Sequence, residues 1–318
     1  MSPVDVPIPF AVSEETRKYL ENAPPLERWS AAPGEIGKLR RHERDGCAPY
    51  SEKARDAYLE RIDECEIGGV AVQTAVPKAY DSSHDGRAVL YFFGGAYILG
   101  SPFEDLSIIA SLAHRLRCVV HAACYRRAPE HPHPAAVDDG YAIYRGLLER
   151  YRPGGLALAG ESAGGNLSLA VALRARDSGL PLPAAAALMS PWCDISKSGD
   201  TEFTLGGGLD PTLDYELHLR EAAMAYAGGR DLRDPVVSPL YADFEPGFCP
   251  TLITTGTREL FLSDCARLST RMRLAGVDAR LHVWEGMWHA FEWYFDLPEA
   301  QRSLDEIAEF VGAHTQGG

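Results

Sequence analysis

Gly160-Glu161-Ser162-Ala163-Gly164 sets a serine between two glycines, directly after the short apolar run 155–160 and before a stretch with helical spacing. A serine hydroxyl attacks a carbonyl effectively only when a base takes its proton. A sharp strand-to-helix turn lifts such a hydroxyl above a sheet, and glycines two residues before and after it let neighbouring backbone come close. The helix that follows points its first N–H groups and positive dipole end at the same place. A glycine-rich packing turn is the plain alternative, but the strand–turn–helix context favours Ser162 as a nucleophile.

The base should titrate near neutral pH, which suits histidine. Of ten histidines, His289 lies in WEGMWHAF, after the last strand-like run. His282 lies inside that run and reads as a sheet residue; His131 and His133, in EHPHP, shape a turn. No third ligand at a fitting spacing makes that pair a metal site, so no metal is expected. The third partner is a carboxylate that holds the imidazole's tautomer and stabilises its cation. Glu259 and Asp264 both follow the run 251–257. Asp264 also suits the first turn of a helix capped by Ser263. Glu259 is nearer the strand end and has no rival structural use, so it is preferred, with Asp264 as the alternative acid. The order along the chain is then nucleophile, acid, base.

Attack on an ester creates an oxyanion, which needs N–H donors preset around it. Ala163, next after the serine, supplies one. The others must come from a turn of small residues after an earlier strand, which explains Gly94-Gly95-Ala96 within YFFGGAYILGS.

These residues need a frame. Strand-like runs at 86–93, 117–125, 155–160, 184–192, 251–257 and 278–286 alternate with helical spacing at 107–116, 134–151, 162–179, 264–276 and about 298–314. That alternation predicts an α/β fold, a mostly parallel central sheet flanked by helices. Ligands in such sheets sit outside the carboxyl ends of the strands, where all three motifs fall. Residues 1–60 are polar and helix-like, SEKARDAYLERID included, and 203–230 read as a helical insertion.

Composition narrows the partners. With 318 residues, 46% hydrophobic, the chain can bury a large core. A net charge of −14 without a basic stripe argues against nucleic acid. Seven cysteines without a C-x-x-C pair read as small buried hydrophobes. No apolar run is long enough for a membrane span and no signal peptide opens the chain, so a reducing, cytoplasmic setting is expected.

From about residue 86 to about 310 the chain resembles the hormone-sensitive-lipase-like branch of the α/β-hydrolases, the bacterial esterases with an HGGG motif. YFFGGAYILGS resembles Y-x-H-G-G-G-x-x-x-G-S, and CYRRAPEHPHPAAVDD resembles D-Y-R-L-A-P-E-x-P-x-P-A-A-x-x-D; GESAGGNL, SPLYADFEPGFCPTLITTGTRELFLSD and WEGMWHAF complete the match. The resemblance implies cofactor-free hydrolysis of a small-molecule ester or lactone, with oxyanion donors at Gly95, Ala96 and Ala163. It implies a helical cap made by residues 1–60 and an insertion at about 200–230 of a hydrolase domain spanning 61–318, and it allows a homodimer. Phe93 replaces the motif's histidine, Ala96 its last glycine, and Glu259 a common aspartate. Ala96 keeps its N–H, whereas Phe93 must hold the loop by packing. Phe93, Tyr97, Trp192, Leu205 and Trp288 are candidate pocket residues. Two other readings stay open: a repurposed catalyst of acyl transfer, lactonisation or elimination, and a non-catalytic ligand receptor.

Overall fold

The computed structural model describes residues 6–205 and 208–316. Its eight-stranded sheet has the order β1-β2-β4-β3-β5-β6-β7-β8, with β1 Leu59–Ile67, β2 Val70–Pro77, β3 Ala88–Phe92, β4 Val119–Ala123, β5 Leu156–Glu161, β6 Ala186–Met189, β7 Thr251–Gly256 and β8 Ala279–Trp284. β1 and β2 run antiparallel and every other pairing except β2 with β4 is parallel. β3, β5, β6 and β7 are buried at every residue, as strands covered by helices on both faces must be.

The helices are α1 Glu14–Asn22, α2 Ile36–Tyr58, α3 Leu106–Leu116, α4 Ala135–Leu147, α5 Ala163–Asp177, α6 Thr201–Thr204, α7 Arg220–Ala227, α8 Leu262–Leu274 and α9 Pro298–His314. α5 approaches the sheet closely. A Cβ on Gly164 would stand 1.9 Å from the Phe92 carbonyl oxygen, so only glycine fits there.

Two local expectations change. LERID does not continue the helix: α2 ends at Tyr58, Leu59 is extended, and the charged run LERIDECEI forms the edge strand β1. An edge strand faces solvent along much of its length and can be polar, which hides it from a search for apolar alternation. Among its described residues the insertion is helical only in pieces, α6 and α7, with one π-helical turn at Tyr215–Leu219 before α7.

Residues 6–58 and the insertion meet above the carboxyl ends of the strands. Trp29 donates its backbone N–H to the Leu217 carbonyl at 3.0 Å and packs on His218, with ring centres 4.5 Å apart. α1 is capped by Ser13 and fastened to α9, because Glu299 accepts from Ser13 N, Ser13 Oγ and Thr16 Oγ1 at 2.6–2.8 Å. Arg40 of α2 forks onto both oxygens of Glu130 and donates to the Ile98 carbonyl. No helix among the described residues is long and apolar enough to cross a membrane.

Candidate active site

Ser162 sits between β5 and α5 with φ 51° and ψ −118°. A non-glycine residue so far from ordinary backbone costs about 1–3 kcal/mol and persists only where its surroundings enforce it. Here its N–H donates to the Met189 carbonyl and its own carbonyl accepts from the Trp192 N–H, fixing the turn from both sides.

Glu259 follows β7 and is fully buried. Its Oε2 accepts from Ser190 Oγ at 2.9 Å, Thr255 Oγ1 at 2.5 Å and the Gly256 N–H at 3.1 Å. Oε1 is left for His289, whose Nδ1 lies 3.0 Å away. Ser190 also accepts the Ala290 N–H at 3.0 Å, so one hydroxyl braces the acid and the loop of the base. Phe261 packs edge-on against the imidazole, with ring centres 5.0 Å apart. With Nδ1 committed to Glu259, Nε2 is the ring atom left for a serine proton. Ser162 and His289 line one cavity of about 260 Å³. Among the described residues no hydrogen bond yet joins them, and such bonds commonly tighten only when substrate binds.

Gly94, Gly95 and Ala96 line the same cavity. Gly95, Ala96 and Tyr97 all have positive φ, 91°, 53° and 63°, which turns the loop tightly. The Gly94 N–H is taken by Asp105 Oδ2 at 3.3 Å, an oxygen that also accepts from Tyr91 at 2.9 Å. The N–H groups of Gly95, Ala96 and Ala163 have no protein acceptor among the described residues. Three unmatched donors beside a strained serine make a place for negative charge.

Phe93 holds the loop without a histidine. Its ring stacks on Tyr125 at 4.0 Å, and the Tyr125 hydroxyl donates to the Phe93 carbonyl at 2.7 Å. Tyr97 stacks on Tyr226 at 3.6 Å and donates to Asn166 Oδ1. Glu161 lies flat against Gly94, where a Cβ would fall 1.5 Å from its Oε1. Burial, then the nearby Asp105 charge, pushes the Glu161 carboxyl well above the usual range, and burial takes Asp105 up to about 7.

Of the two candidate acids, Glu259 alone contacts the imidazole. Asp264 is buried in the first turn of α8, paired at 2.9 Å with Arg267. Ser263 is not the cap; α8 begins at Leu262, and Ser263 Oγ instead accepts the Asp200 N–H.

The five pocket candidates are corrected, since none lines this cavity. Phe93 lines a separate one with Tyr125, and Tyr97 and Trp192 are enclosed in the core. Leu205 lies off the cavity. Trp288 is fully buried and stacks on Tyr19 at 4.3 Å; the residue beside the base in sequence is turned away from the cavity. The walls are Trp29, Leu213, Leu219, Trp293 and Tyr294. Sequence reasoning also missed Ser190 and Asp210. Asp210 precedes a proline, a turn signal, but nothing in the chain says which amides it reaches.

Residues 89–293 match a family model described as the alpha/beta hydrolase fold. The chain belongs to the α/β-hydrolase family. An acetyl-hydrolase of Streptomyces hygroscopicus is 39% identical over 236 residues, covering 74% of this chain and 78% of that protein. An esterase of Acinetobacter venetianus is 32% identical over 229 residues, 71% and 74% of the two chains. The crystal structure of esterase E25 superposes with a TM-score of 0.89 at 30% identity, covering 99% of this chain and 98% of that one. A hormone-sensitive lipase from a metagenome library gives 0.81 at 31% identity, covering 95% and 96%. Within the α/β-hydrolases the chain lies in the hormone-sensitive-lipase-like branch.

Proposed function

We propose that the protein is a serine carboxylic-ester hydrolase acting through an acyl-enzyme. Ser162 Oγ attacks the acyl carbon as His289 Nε2 takes its proton. The carbonyl oxygen becomes an oxyanion held by the N–H groups of Gly95, Ala96 and Ala163. Collapse expels the alcohol, which leaves with the proton from His289. Water then attacks the acyl-serine as His289 takes its proton. Collapse breaks the bond to Ser162 Oγ, which receives that proton back from His289, and the carboxylic acid leaves and ionises in water. Glu259 keeps Nδ1 protonated and stabilises the imidazolium. No step needs a metal or cofactor.

The observation that carries this reading is the Glu259–His289 pair opening onto the cavity that also holds strained Ser162 and unmatched amides. The acetyl-hydrolase and esterase names of relatives support it. A cavity of about 260 Å³ with aromatic walls suits a small-to-medium acyl group. Residues 6–58 and the insertion act as a cap over it. Seven free cysteines support a reducing setting.

A fluorophosphonate probe tests the nucleophile. Stoichiometric labelling that disappears in Ser162→Ala is expected, together with hydrolysis of p-nitrophenyl esters of graded acyl length. Labelling without ester hydrolysis points to a repurposed catalyst, and ligand binding without labelling points to a receptor; either overturns the reading.

A further inference from the structure

We propose that Asp210 is a positioning residue for the base, a latch by which the insertion sets His289 and the acid loop in register. This rests on the hydrolase reading above. Asp210 is buried, 1% exposed, in the segment leading to the π-helical turn. Its Oδ2 accepts the His289 N–H at 3.2 Å and the Leu260 N–H at 3.3 Å. One oxygen therefore grips the backbone of the base and of the residue next to the acid. Its Oδ1 accepts from Thr212 N, Thr212 Oγ1 and Leu213 N at 2.8–3.2 Å. That second grip folds the segment so that Thr212 and Leu213 line the cavity. Seating the insertion and aligning the base are thus a single event.

Two consequences follow from chemistry. The carboxylate adds a negative charge near the imidazole, favouring the imidazolium that forms when Ser162 gives up its proton. The ionisable groups facing it are His289 and Glu259 from the two loops, with Tyr19 of α1 and Tyr294 nearby. Burial pushes the Asp210 carboxyl above its ordinary range; His289 and the Thr212 donors pull it back toward the ionised form, while the Glu259 charge adds to the rise. An amide cannot substitute. Both oxygens of Asp210 accept, so the side chain introduced by Asp210→Asn must turn its NH₂ toward one set of donors.

The test compares wild type with Asp210→Asn and Asp210→Glu. In Asp210→Asn, kcat on p-nitrophenyl acetate should fall about tenfold to a hundredfold, as a base displaced by a fraction of an ångström implies. KM should rise as well, since Thr212 and Leu213 line the cavity, but by a smaller factor than kcat falls. The acid limb of kcat/KM should move to lower pH, since removing the anion makes protonated His289 less favourable. Asp210→Glu, which keeps the charge, should restore the acid limb and part of kcat.

The proposal is overturned if Asp210→Asn retains kcat and acid limb, if kcat falls only with the folded fraction while the limb stays put, or if the Glu variant behaves like the Asn variant. The His289 ring titration, followed by NMR in a Ser162→Ala background, reads the same charge effect without turnover. It should move to lower pH with Asp210→Asn. That readout survives failure of the hydrolase reading, which absent Ser162 labelling in wild type would reveal separately.

Discussion

His289 Nδ1 lies 3.0 Å from Glu259 Oε1, and Glu259 spends its other oxygen on three donors from the β6 and β7 ends. A carboxylate held by that many donors cannot swing away from the imidazole without leaving buried partners unmatched, each costing about 1–3 kcal/mol. The extra methylene of glutamate is absorbed by this cradle.

Glu259→Gln should therefore lower kcat by about 10³–10⁴-fold, the scale of triad-acid removal, with KM little changed. Asp264→Asn should leave kcat within about threefold, because Asp264 faces Arg267 and not the imidazole. Its effect belongs to stability. Steady-state kinetics beside thermal melts separate the two, and the reverse pattern would reassign the acid to Asp264.

The oxyanion loop should depend on Tyr125. Tyr125→Phe deletes the donor to the Phe93 carbonyl and keeps the stacked ring. An unmatched buried carbonyl costs about 1–3 kcal/mol, and the loosened loop should also lower kcat. Phe93→Ala removes the whole stack and should cost about 3–5 kcal/mol. Denaturant melts and p-nitrophenyl acetate turnover check both; a Tyr125→Phe variant with native stability and kcat would mean the loop is fixed elsewhere.

Gly94 should tolerate no side chain while Glu161 is present. An added Cβ would fall 1.5 Å from Glu161 Oε1 and 2.3 Å from its Cδ, so Gly94→Ala must displace the loop or the glutamate. Gly94→Ala should lose at least about a hundredfold in kcat, in line with loss of a preset oxyanion donor. Gly94→Ala with Glu161→Gly should recover part of that loss, giving a coupling of about 0.5–3 kcal/mol in a double-mutant cycle. Strict additivity would show that the contact is not the cause.

The frame and the candidate set Ser162, Glu259 and His289 were legible in the sequence because both rest on local pattern. β3 and β5 are mostly apolar runs and β7 a run rich in β-branched residues, each ending at a motif, and the G-x-S-x-G turn needs its glycines within five residues. What stayed hidden depends on which way a side chain turns. Trp288 adjoins His289 yet packs on Tyr19, while Trp29, far along the chain, becomes a cavity wall through its bond to Leu217. Asp210 gives no chain-level sign of its bonds to Leu260 and His289, because those contacts join segments 50 and 79 residues apart. β1 was concealed by its charged exposed face.

Stability should vary with pH through Asp105. Burial lifts its carboxyl to about 7, while the unfolded chain keeps an ordinary aspartate value of about 3.9. Between these two values the unfolded chain has lost the proton and the folded protein keeps it. Stability from this group is therefore present below the unfolded value and declines as pH rises toward about 7. Asp105→Asn removes the titration and can still accept from Tyr91 and Gly94, because both donate to the one oxygen Oδ2. The melting temperature of the variant minus that of wild type should accordingly grow from about pH 4 to about pH 7 and then level off. Paired melts across that range measure it. A difference that stays flat, or shrinks as pH rises, would show that Asp105 titrates normally in the folded protein.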